Sequence, residues 1–290
     1  MEKRRLSATD RHTQLITLLK TRGYCSVVEM SQLLDVSPMT IRRDLYTLQE
    51  KNIVKVTYGG AHFIASEQTE PDFDTRTHEH LFAKRAIGKR AAELFIEEGD
   101  VIGIDSGSTM LEVAHNLPDI PLTVVTPSLP AANIIAQNKR HQLILLGGTL
   151  QSTSGYFYGL QAIATLHNLY INTLFLATGG LLLPDSLSSN YLSDAENKQA
   201  LIKSSRKVIL CMDSSKIGRV FLARFATLDS IDTLVTDDGI LDEQRKIIEQ
   251  QDRQVIVAST TDWELQPEAA LKAMRRPTIH PASSLLDKSH

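Results

Sequence analysis

Residues 36–45 decide the fold of the first part of the chain, and they read Val36-Ser37-Pro38-Met39-Thr40-Ile41-Arg42-Arg43-Asp44-Leu45. Ser37 can cap a helix by accepting a hydrogen bond from a free backbone N–H, and Pro38 suits the first helical position. Ile41, Leu45 and Leu48 recur at helical spacing and predict one buried face. The residues left off that face include Thr40, Arg42, Arg43 and Tyr46.

The paired arginines indicate what this helix could bind. Arginine bonds phosphate oxygens, or bonds guanine through two parallel hydrogen bonds, so a short helix carrying Arg42 and Arg43 suits the DNA major groove. An arginine pair alone is more often a solvated surface feature, because exposed charge is the norm. The neighbouring segments decide between these two interpretations.

The segments on either side predict a winged helix-turn-helix over residues 11–63. A first helix precedes a capping box formed by Ser26 and Glu29, which opens a second helix. Only a tight connection separates that helix from Ser37. Residues 52–60 are β-rich and end in a glycine pair, which predicts a small hairpin beside the third helix.

The longer second part, residues 81–260, predicts an α/β domain with a mainly parallel, Rossmann-like sheet, because continuous apolar strands alternate with helices. The predicted strands span residues 101–104, 122–126, 142–146, 173–177, 208–212, 234–236 and 255–258. Three remaining segments are polar. We expect residues 1–10 to form an arm, 64–80 a linker and 261–290 a poorly ordered tail.

Charge is unevenly distributed along the 290 residues. Residues 1–60 hold ten Lys or Arg and six Asp or Glu, a balance of +4; the whole chain carries −3, so the remainder carries −7. This asymmetry fits a DNA-binding head on an acidic body.

Only two cysteines are present, which fits a reducing cytoplasm better than a disulfide framework. We expect no signal peptide and no membrane segment, since no apolar run approaches the ~20 residues of a membrane span.

Polar loops follow two of the predicted strands, at the edge of a parallel sheet where ligands bind. The residues of the first loop are Asp105, Ser106, Gly107, Ser108 and Thr109. This loop leads into a helix whose free N–H groups and dipole suit a phosphate. The second loop ends in Lys216, which could supply a cation at the same edge. Loops of this composition are mostly turns, so the two loops together, rather than either alone, predict an anion site.

Two further groups of residues have simpler alternative roles. Asp194, Glu196 and Lys198 form a third candidate cluster, but Ser193 and Glu196 are three apart and predict a capping box that would merely start a helix. The histidines within residues 78–80 have no metal-ligand pattern around them, and a metal site needs three or four ligands in a supported geometry. We therefore predict no metal site.

Residues 11–61 resemble the DNA-binding domain of the DeoR family of bacterial transcription regulators. The resemblance is carried by Arg11, Leu15, Leu19, Val36, Ser37, the run from Thr40 to Leu45, Leu48 and the turn Gly59-Gly60-Ala61. Asn52 stands where the family usually has Gly, and Lys55 where it often has Arg. Asn tolerates a left-handed backbone and Lys can still meet phosphate, so we expect the wing to survive.

The second part resembles the sensor domain of the same family, which is similar in fold to ribose-5-phosphate isomerase and the coenzyme A transferases. The matching runs are residues 105–109, 147–148, 179–180 and 213–216. The resemblance implies a phosphorylated sugar or sugar derivative as effector. Residues 106–109 would hold its phosphate and Lys216 would add charge, while Asp105 and Asp194 would face sugar hydroxyls. Residues 181–191 are the least family-like and are expected to shape ligand choice.

The resemblance also implies a repressor that binds double-stranded DNA as a homo-oligomer. The residues expected to contact DNA are Ser37, Pro38, Thr40, Arg42, Arg43 and Lys55. One alternative is a sugar-phosphate isomerase with a DNA-binding head, but residues 177–180 lack the carboxylates that proton transfer between carbons needs. Another is a body that serves only as an oligomerisation scaffold, against which the intact loops at 105–109 and 213–216 argue.

Overall fold

The computed structural model describes residues 8–22, 24–50, 53–57, 59–63 and 73–261. Most of the predicted arm (residues 1–7), the predicted tail from residue 262 and the first part of the predicted linker (residues 64–72) lie outside these ranges. None of the helices in the described ranges is long and apolar enough to cross a membrane.

The first part of the chain, which we call the head, folds as the predicted winged helix-turn-helix. Its helices are α1 Ala8–Arg22, α2 Val27–Leu34 and α3 Pro38–Glu50, and its strands are β1 Tyr24–Ser26, β2 Val54–Thr57 and β3 Gly60–Phe63. The strands form an antiparallel sheet in the order β1-β3-β2. The hairpin β2–β3 is the predicted wing, whereas the three residues of β1 are too few to show a pattern in the sequence.

Capping residues set the start of two of these helices. Ser26 Oγ accepts a hydrogen bond from the Glu29 N–H at 3.2 Å, and the Glu29 carboxylate accepts one from the Ser26 N–H at 3.0 Å, so the predicted capping box is confirmed. Ser37 Oγ accepts from the Thr40 N–H at 3.2 Å, and Pro38 is the first residue of α3. The buried core of the head is formed by Leu15, Leu19, Cys25, Val27, Met30, Ile41, Leu45, Leu48, Val54 and Ala61.

A largely buried ion pair fixes α3 against α1. The Asp44 carboxylate accepts hydrogen bonds from Arg11 Nε at 2.5 Å and from Arg11 Nη2 at 3.0 Å, and His12 Nε2 lies 3.1 Å from it. Burial alone would raise the pKa of Asp44, but the hydrogen bonds from Arg11 and His12 outweigh burial, and the pKa is lowered. Asp44 therefore holds the position of the helix that carries Arg42 and Arg43.

Asp44→Asn is expected to destabilise the head by about 1–3 kcal/mol, because it removes the charged acceptor for Arg11 in a largely buried site. Since the folded-state pKa is lowered, the stabilisation is present above the unfolded-state pKa of 3.8 and is lost as the pH falls through the folded-state value. Hydrogen exchange at the amides of α3 measures the effect. Glu50→Gln, at an exposed position of the same helix, is the matched control. Equal protection of the α3 amides from exchange in Asp44→Asn and Glu50→Gln would contradict the proposed role of Asp44.

The second part of the chain, which we call the body, is an α/β domain. Its helices are α4 Phe73–His78, α5 Leu81–Phe95, α6 Ser108–His115, α7 Leu129–Ile135, α8 Leu160–Leu166, α9 Leu192–Lys203 and α10 Asp242–Glu249. Its strands are β4 Val101–Ile104, β5 Leu122–Thr126, β6 His141–Leu145, β7 Thr149–Gln151, β8 Tyr156–Tyr158, β9 Ile171–Leu176, β10 Gly180–Leu182, β11 Ser186–Ser189, β12 Ser205–Cys211, β13 Ala223–Ala226, β14 Thr233–Asp237 and β15 Gln254–Ala258.

Seven of these strands form one parallel sheet in the order β15-β14-β12-β9-β4-β5-β6. Each predicted strand overlaps one of the seven. Successive residues of β9 face opposite sides of the sheet, so Leu174 packs in one core cluster and Phe175 in the other. The chain order reverses between β4 and β9. In open α/β sheets such a reversal leaves a crevice beyond the carboxyl ends of the two strands, where ligands bind.

The structure bears on two expectations about the body. The predicted linker is wrong for residues 73–78, which form α4; six residues are less than two helical turns and leave little periodicity to detect. Residues 181–191, expected to shape ligand choice, contribute mainly to a buried hairpin, β10–β11, which pairs with β13. Leu181 and Leu187 of this hairpin are fully buried in the core. Only the end of this segment reaches the site described next.

Candidate functional site

Helix α3 presents a cationic side to solvent. The predicted DNA-contacting residues that are exposed are Ser37, Pro38, Arg42, Arg43 and Lys55. Thr40 is half-buried, and its hydroxyl lies 2.9 Å from the hydroxyl of Ser37. All of these residues except Lys55 lie on or immediately before α3, and Lys55 lies on β2 of the wing. Two exposed apolar side chains, Met39 and Tyr46, also lie on α3.

A cavity opens beyond the carboxyl ends of β4 and β9, where the order of the sheet reverses. It encloses about 460 Å³ of space, open solvent at its mouth included. Its lining residues are Arg76, Ser106, Gly107, Ser108, Thr109, Ser154, Tyr156, Ala177, Thr178, Gly179, Ser189, Tyr191, Asp194, Lys198 and Lys216. The fold therefore brings together residues 106–109, Asp194 and Lys216, but it does not bring Asp105 to the cavity surface.

The loop after β4 forms a cradle at the start of α6. Gly107 directly precedes the helix with a φ of +127°, a conformation that residues with side chains rarely adopt. The Thr109 hydroxyl is buried and has no hydrogen-bond partner among the described residues. The first N–H groups of a helix have no partner within the helix either. An anion held here would satisfy both the hydroxyl and the helix N–H groups.

Lys216 brings a cation to the cavity from the 3-10 turn Ser214–Lys216, which follows β12. Its ammonium donates a hydrogen bond to the Thr178 carbonyl oxygen at 2.8 Å, which ties it to the loop after β9. Burial alone would raise the pKa of the neighbouring Asp213, but the charge of Lys216 and the Ser215 hydroxyl outweigh burial and the pKa is lowered. Asp213 is therefore a buried carboxylate whose charged form is favoured by Lys216, and its backbone carbonyl accepts a hydrogen bond from the Lys216 N–H at 3.1 Å.

Asp105 lies behind the cavity rather than in it. Its side chain is fully buried, and its Oδ2 accepts hydrogen bonds from the Lys198 ammonium and from the Ala177 N–H, the latter at 3.0 Å. Burial raises the pKa of Asp105, and the charge of Lys198 opposes that rise. The expectation that Asp105 faces sugar hydroxyls is therefore wrong, because its carboxylate is the buried partner of Lys198.

Asp194 reaches the cavity and is engaged on both carboxylate oxygens. The Ser106 hydroxyl donates to its Oδ1 at 3.3 Å and the Ser189 hydroxyl donates to its Oδ2 at 2.5 Å. Lys198, one helical turn further along α9, lies 3.5 Å from Oδ2. Asp194 and Lys198 therefore do form a cluster at the cavity, whereas Glu196, the third residue of the predicted cluster, is exposed and does not line it.

Sequence patterns missed the rest of the cavity wall. Arg76 comes from α4, and Ser154 and Tyr156 come from the turn and second strand of the β7–β8 hairpin. These elements are too short to show a period. The capping box predicted from Ser193 and Glu196 is also wrong, because Ser193 lies inside α9 and that helix has no side-chain cap.

The described residues offer few groups for metal or acid–base chemistry. They include no group of three or more His, Cys, Asp or Glu side chains that could hold a metal ion. Among the residues that line the cavity in the described ranges, Asp194 is the one carboxylate. The arrangement of hydroxyls, helix N–H groups and cations is suited to holding an anion.

Two family models match this chain. The DeoR-like helix-turn-helix domain matches residues 11–67, and the DeoR C terminal sensor domain matches residues 79–238. The two matches fall on the head and on most of the body.

Proteins and solved structures similar to this chain include regulators of sugar operons. The L-fucose operon activator of Haemophilus influenzae is 32% identical over 238 residues, which cover 82% of this chain and 95% of that protein. The glycerol-3-phosphate regulon repressor of Escherichia coli K12 is 33% identical over 236 residues, 80% of this chain and 92% of that one. The full-length sorbitol operon regulator from Klebsiella pneumoniae aligns with a TM-score of 0.39 at 12% identity, covering 84% of this chain and 99% of that one. From the two family matches and the similarity to the L-fucose operon activator and the glycerol-3-phosphate regulon repressor over most of their length, this chain belongs to the DeoR family of transcription regulators.

Proposed function

We propose that this chain represses a carbohydrate operon and that a phosphorylated sugar or sugar derivative controls its binding to DNA. The head would bind the operator through Ser37, Pro38, Thr40, Arg42, Arg43 and Lys55. The observation that carries the choice of effector is the cavity at the reversal between β4 and β9. There a hydroxyl-rich cradle at a helix start and the cation Lys216 converge on one space.

The cavity offers different groups to the two ends of such an effector. Residues 106–109 and Lys216 suit a phosphate, because they provide hydroxyls, helix N–H groups and a positive charge. Asp194 can accept hydrogen bonds from sugar hydroxyls. Tyr156 and Tyr191 add ring surface for the carbon skeleton.

The names of similar proteins support this choice of effector. They include the glycerol-3-phosphate regulon repressor of Escherichia coli and the lactose phosphotransferase system repressor of Staphylococcus epidermidis. The L-fucose operon activator of Haemophilus influenzae is named as an activator and not as a repressor. A reporter fused to the operator tests the sign for this chain: deletion of the regulator is expected to raise expression, and a fall in expression would identify an activator.

Binding fits this cavity better than catalysis of aldose–ketose isomerisation. That reaction moves a proton between carbons and needs positioned carboxylates as acid and base. Residues 177–180, which follow β9, contain no carboxylate, and Asp194 is already bonded to Ser189 and close to Lys198. An assay with pentose phosphates tests this point, and turnover at ordinary enzyme rates would refute it.

We further propose that the chain works as a homo-oligomer in the cytoplasm. Symmetric oligomers are the usual case, and paired heads would read repeated or palindromic half-sites. Cys25 and Cys211 are buried free thiols, as expected in a reducing compartment. Sedimentation velocity with and without operator DNA measures the number of subunits, and a single chain on the DNA would refute the oligomer.

A thermal-shift screen of sugar phosphates tests the effector assignment. The effector is expected to raise the melting temperature, and its unphosphorylated parent sugar is not, since only a ligand that binds the folded state stabilises it. Lys216→Ala is expected to weaken effector binding by about tenfold to a hundredfold, because a hydrogen bond to a charged group contributes roughly 1.5–3 kcal/mol. Operator affinity without effector is expected to stay unchanged.

Lys139→Ala removes an exposed lysine elsewhere on the body and is the matched control for this variant. An unchanged dose response in Lys216→Ala would remove Lys216 from the site. The absence of any shift with phosphorylated metabolites would instead favour a body that serves only as a scaffold.

A further inference from the structure

Helix α4, the first element of the body, brings a further cation to the cavity, the guanidinium of Arg76. Only residues 64–72 separate α4 from β3 of the head. The Arg76 side chain of α4 lines the cavity together with residues 106–109 and Lys216. A guanidinium can bond a phosphate through two parallel hydrogen bonds, so Arg76 offers an anion a planar fork in addition to the point charge of Lys216.

Polar contacts hold α4 to the turn of the β7–β8 hairpin. The Phe73 N–H donates to the Thr153 carbonyl at 3.3 Å, and Arg76 Nη2 donates to the Ser154 hydroxyl at 3.4 Å. None of the residues of α4 is buried. A six-residue helix is unstable by itself, so its position depends on such contacts and not on a packed apolar face.

Lys84 of α5 holds the C-terminal end of α4. This lysine is almost fully buried, and its ammonium donates to the carbonyl oxygens of Arg76 and Glu79, the latter at 2.5 Å. Burial, followed by the charge of Lys216, lowers the pKa of Lys84 to about 8. Lys216 and Arg76 therefore act on Lys84 as like charges, and Asp213 and Glu79 oppose that effect. An anion in the cavity would also favour the charged form of Lys84.

We propose that Arg76 binds the phosphate of the effector together with residues 106–109 and Lys216, and that this contact holds α4 more firmly to the body when the cavity is occupied. The inference rests on the proposed function and adds a residue and a consequence to the same site. A ligand shifts a conformational equilibrium only through contacts that differ between the two states. The contact from Arg76 to phosphate exists only while α4 is docked, so the effector favours the docked helix. Phe73, at the start of α4, is then held in a fixed position on the body.

Hydrogen exchange of the full chain, with inorganic phosphate as the probe, tests this inference. In the wild type, phosphate is expected to slow exchange at the amides of residues 106–111 and of residues 73–79. Arg76→Met is expected to bind phosphate about tenfold more weakly. At saturating phosphate it is expected to lose the slowing at residues 73–79 and to keep it at 106–111. Arg90→Met, at an exposed position of α5, is the matched control and is expected to match the wild type.

Two further variants separate the charge of Arg76 from the docking of α4. Arg76→Lys keeps the charge but loses the planar fork, and it is expected to bind phosphate more weakly than the wild type and more tightly than Arg76→Met. Ser154→Ala removes the hydrogen bond to Arg76 without changing any charge. Without phosphate it is expected to speed exchange at residues 73–79, and phosphate is expected to slow that exchange again because the contact from Arg76 remains. Wild-type affinity and wild-type protection of residues 73–79 in Arg76→Met would overturn the inference and leave the proposed function standing. No effect of phosphate on residues 106–111 of the wild type would overturn both.

Discussion

Arg42→Ala combined with Arg43→Ala is expected to lower the affinity of the full chain for its operator by about 2–6 kcal/mol, roughly 30-fold to 10⁴-fold. Both guanidinium groups are exposed on α3, and other residues form the buried face of that helix, so the core of the head is unchanged. Each bidentate contact between arginine and guanine is worth about 1–3 kcal/mol of discrimination. Fluorescence anisotropy at fixed salt, with an operator selected from genomic fragments, measures the loss.

The matched control for this double variant removes two exposed cations from the body, through Lys139→Ala with Arg206→Ala. It changes the net charge by the same amount and is expected to keep the operator affinity. The two single variants then separate the roles of Arg42 and Arg43. Loss of a base contact weakens binding to the operator but not to scrambled DNA, whereas loss of a phosphate contact weakens both and reduces the salt dependence. A double variant with wild-type affinity would contradict the assignment of α3 as the DNA-reading helix.

Most of the head could be predicted because its helix starts are decided locally. Ser26 and Ser37 each accept a hydrogen bond from a residue three positions later, which is the spacing that capping rules recognise. Asp44 is different, since its partner Arg11 lies 33 positions away in the sequence. No local pattern marks such a pair, so its role in holding α3 emerged only from the structure.

The central strands of the body could be predicted because a parallel sheet covered on both faces produces continuous apolar runs. The small hairpins could not, since strands of three or four residues give no alternation to detect. The position of the cavity was predictable from topology, because ligands bind beyond the carboxyl ends of parallel strands. Arg76 was not, because the six residues of α4 were too few to be distinguished from a linker.

The prediction that Asp105 faces the ligand was wrong because the sequence does not show where the strand before it ends. Its N–H donates to the Phe175 carbonyl at 3.0 Å, so the sheet continues one residue past β4 and holds Asp105 between strands. The sequence places Lys198 on a distant helix and does not reveal that this ammonium meets Asp105. The pair therefore supports the wall of the cavity, which Lys198 also lines, and its contribution to stability is measured in the absence of ligand.

Lys198→Met is expected to lower the free energy of unfolding of the body by about 3–5 kcal/mol, because breaking a buried ion pair leaves an uncompensated charge. Methionine roughly keeps the shape of the side chain, but it leaves the fully buried Asp105 carboxylate without its charged partner. Urea unfolding of the full chain, followed by circular dichroism, measures the loss. Lys203→Met, at an exposed position of the same helix, is the matched control and is expected to stay within about 0.5 kcal/mol of the wild type.

The pH dependence of the Lys198→Met variant separates the charge of Lys198 from its packing. Burial already raises the pKa of Asp105 above the unfolded-state value of 3.8, and the charge of Lys198 opposes that rise, so removing Lys198 raises the pKa further. The native state of the variant then binds the proton of Asp105 more tightly than the unfolded state does. The loss in the free energy of unfolding is therefore small in acid and grows as the pH rises through the folded-state pKa of Asp105. Asp105→Asn with Lys198→Met removes both charges of the buried pair, while Asp194 keeps its hydrogen bonds from Ser106 and Ser189. The double variant is expected to recover much of the stability at neutral pH. Equal deficits in the single and the double variant at every pH would mean that Lys198 stabilises the body by packing and not by its charge.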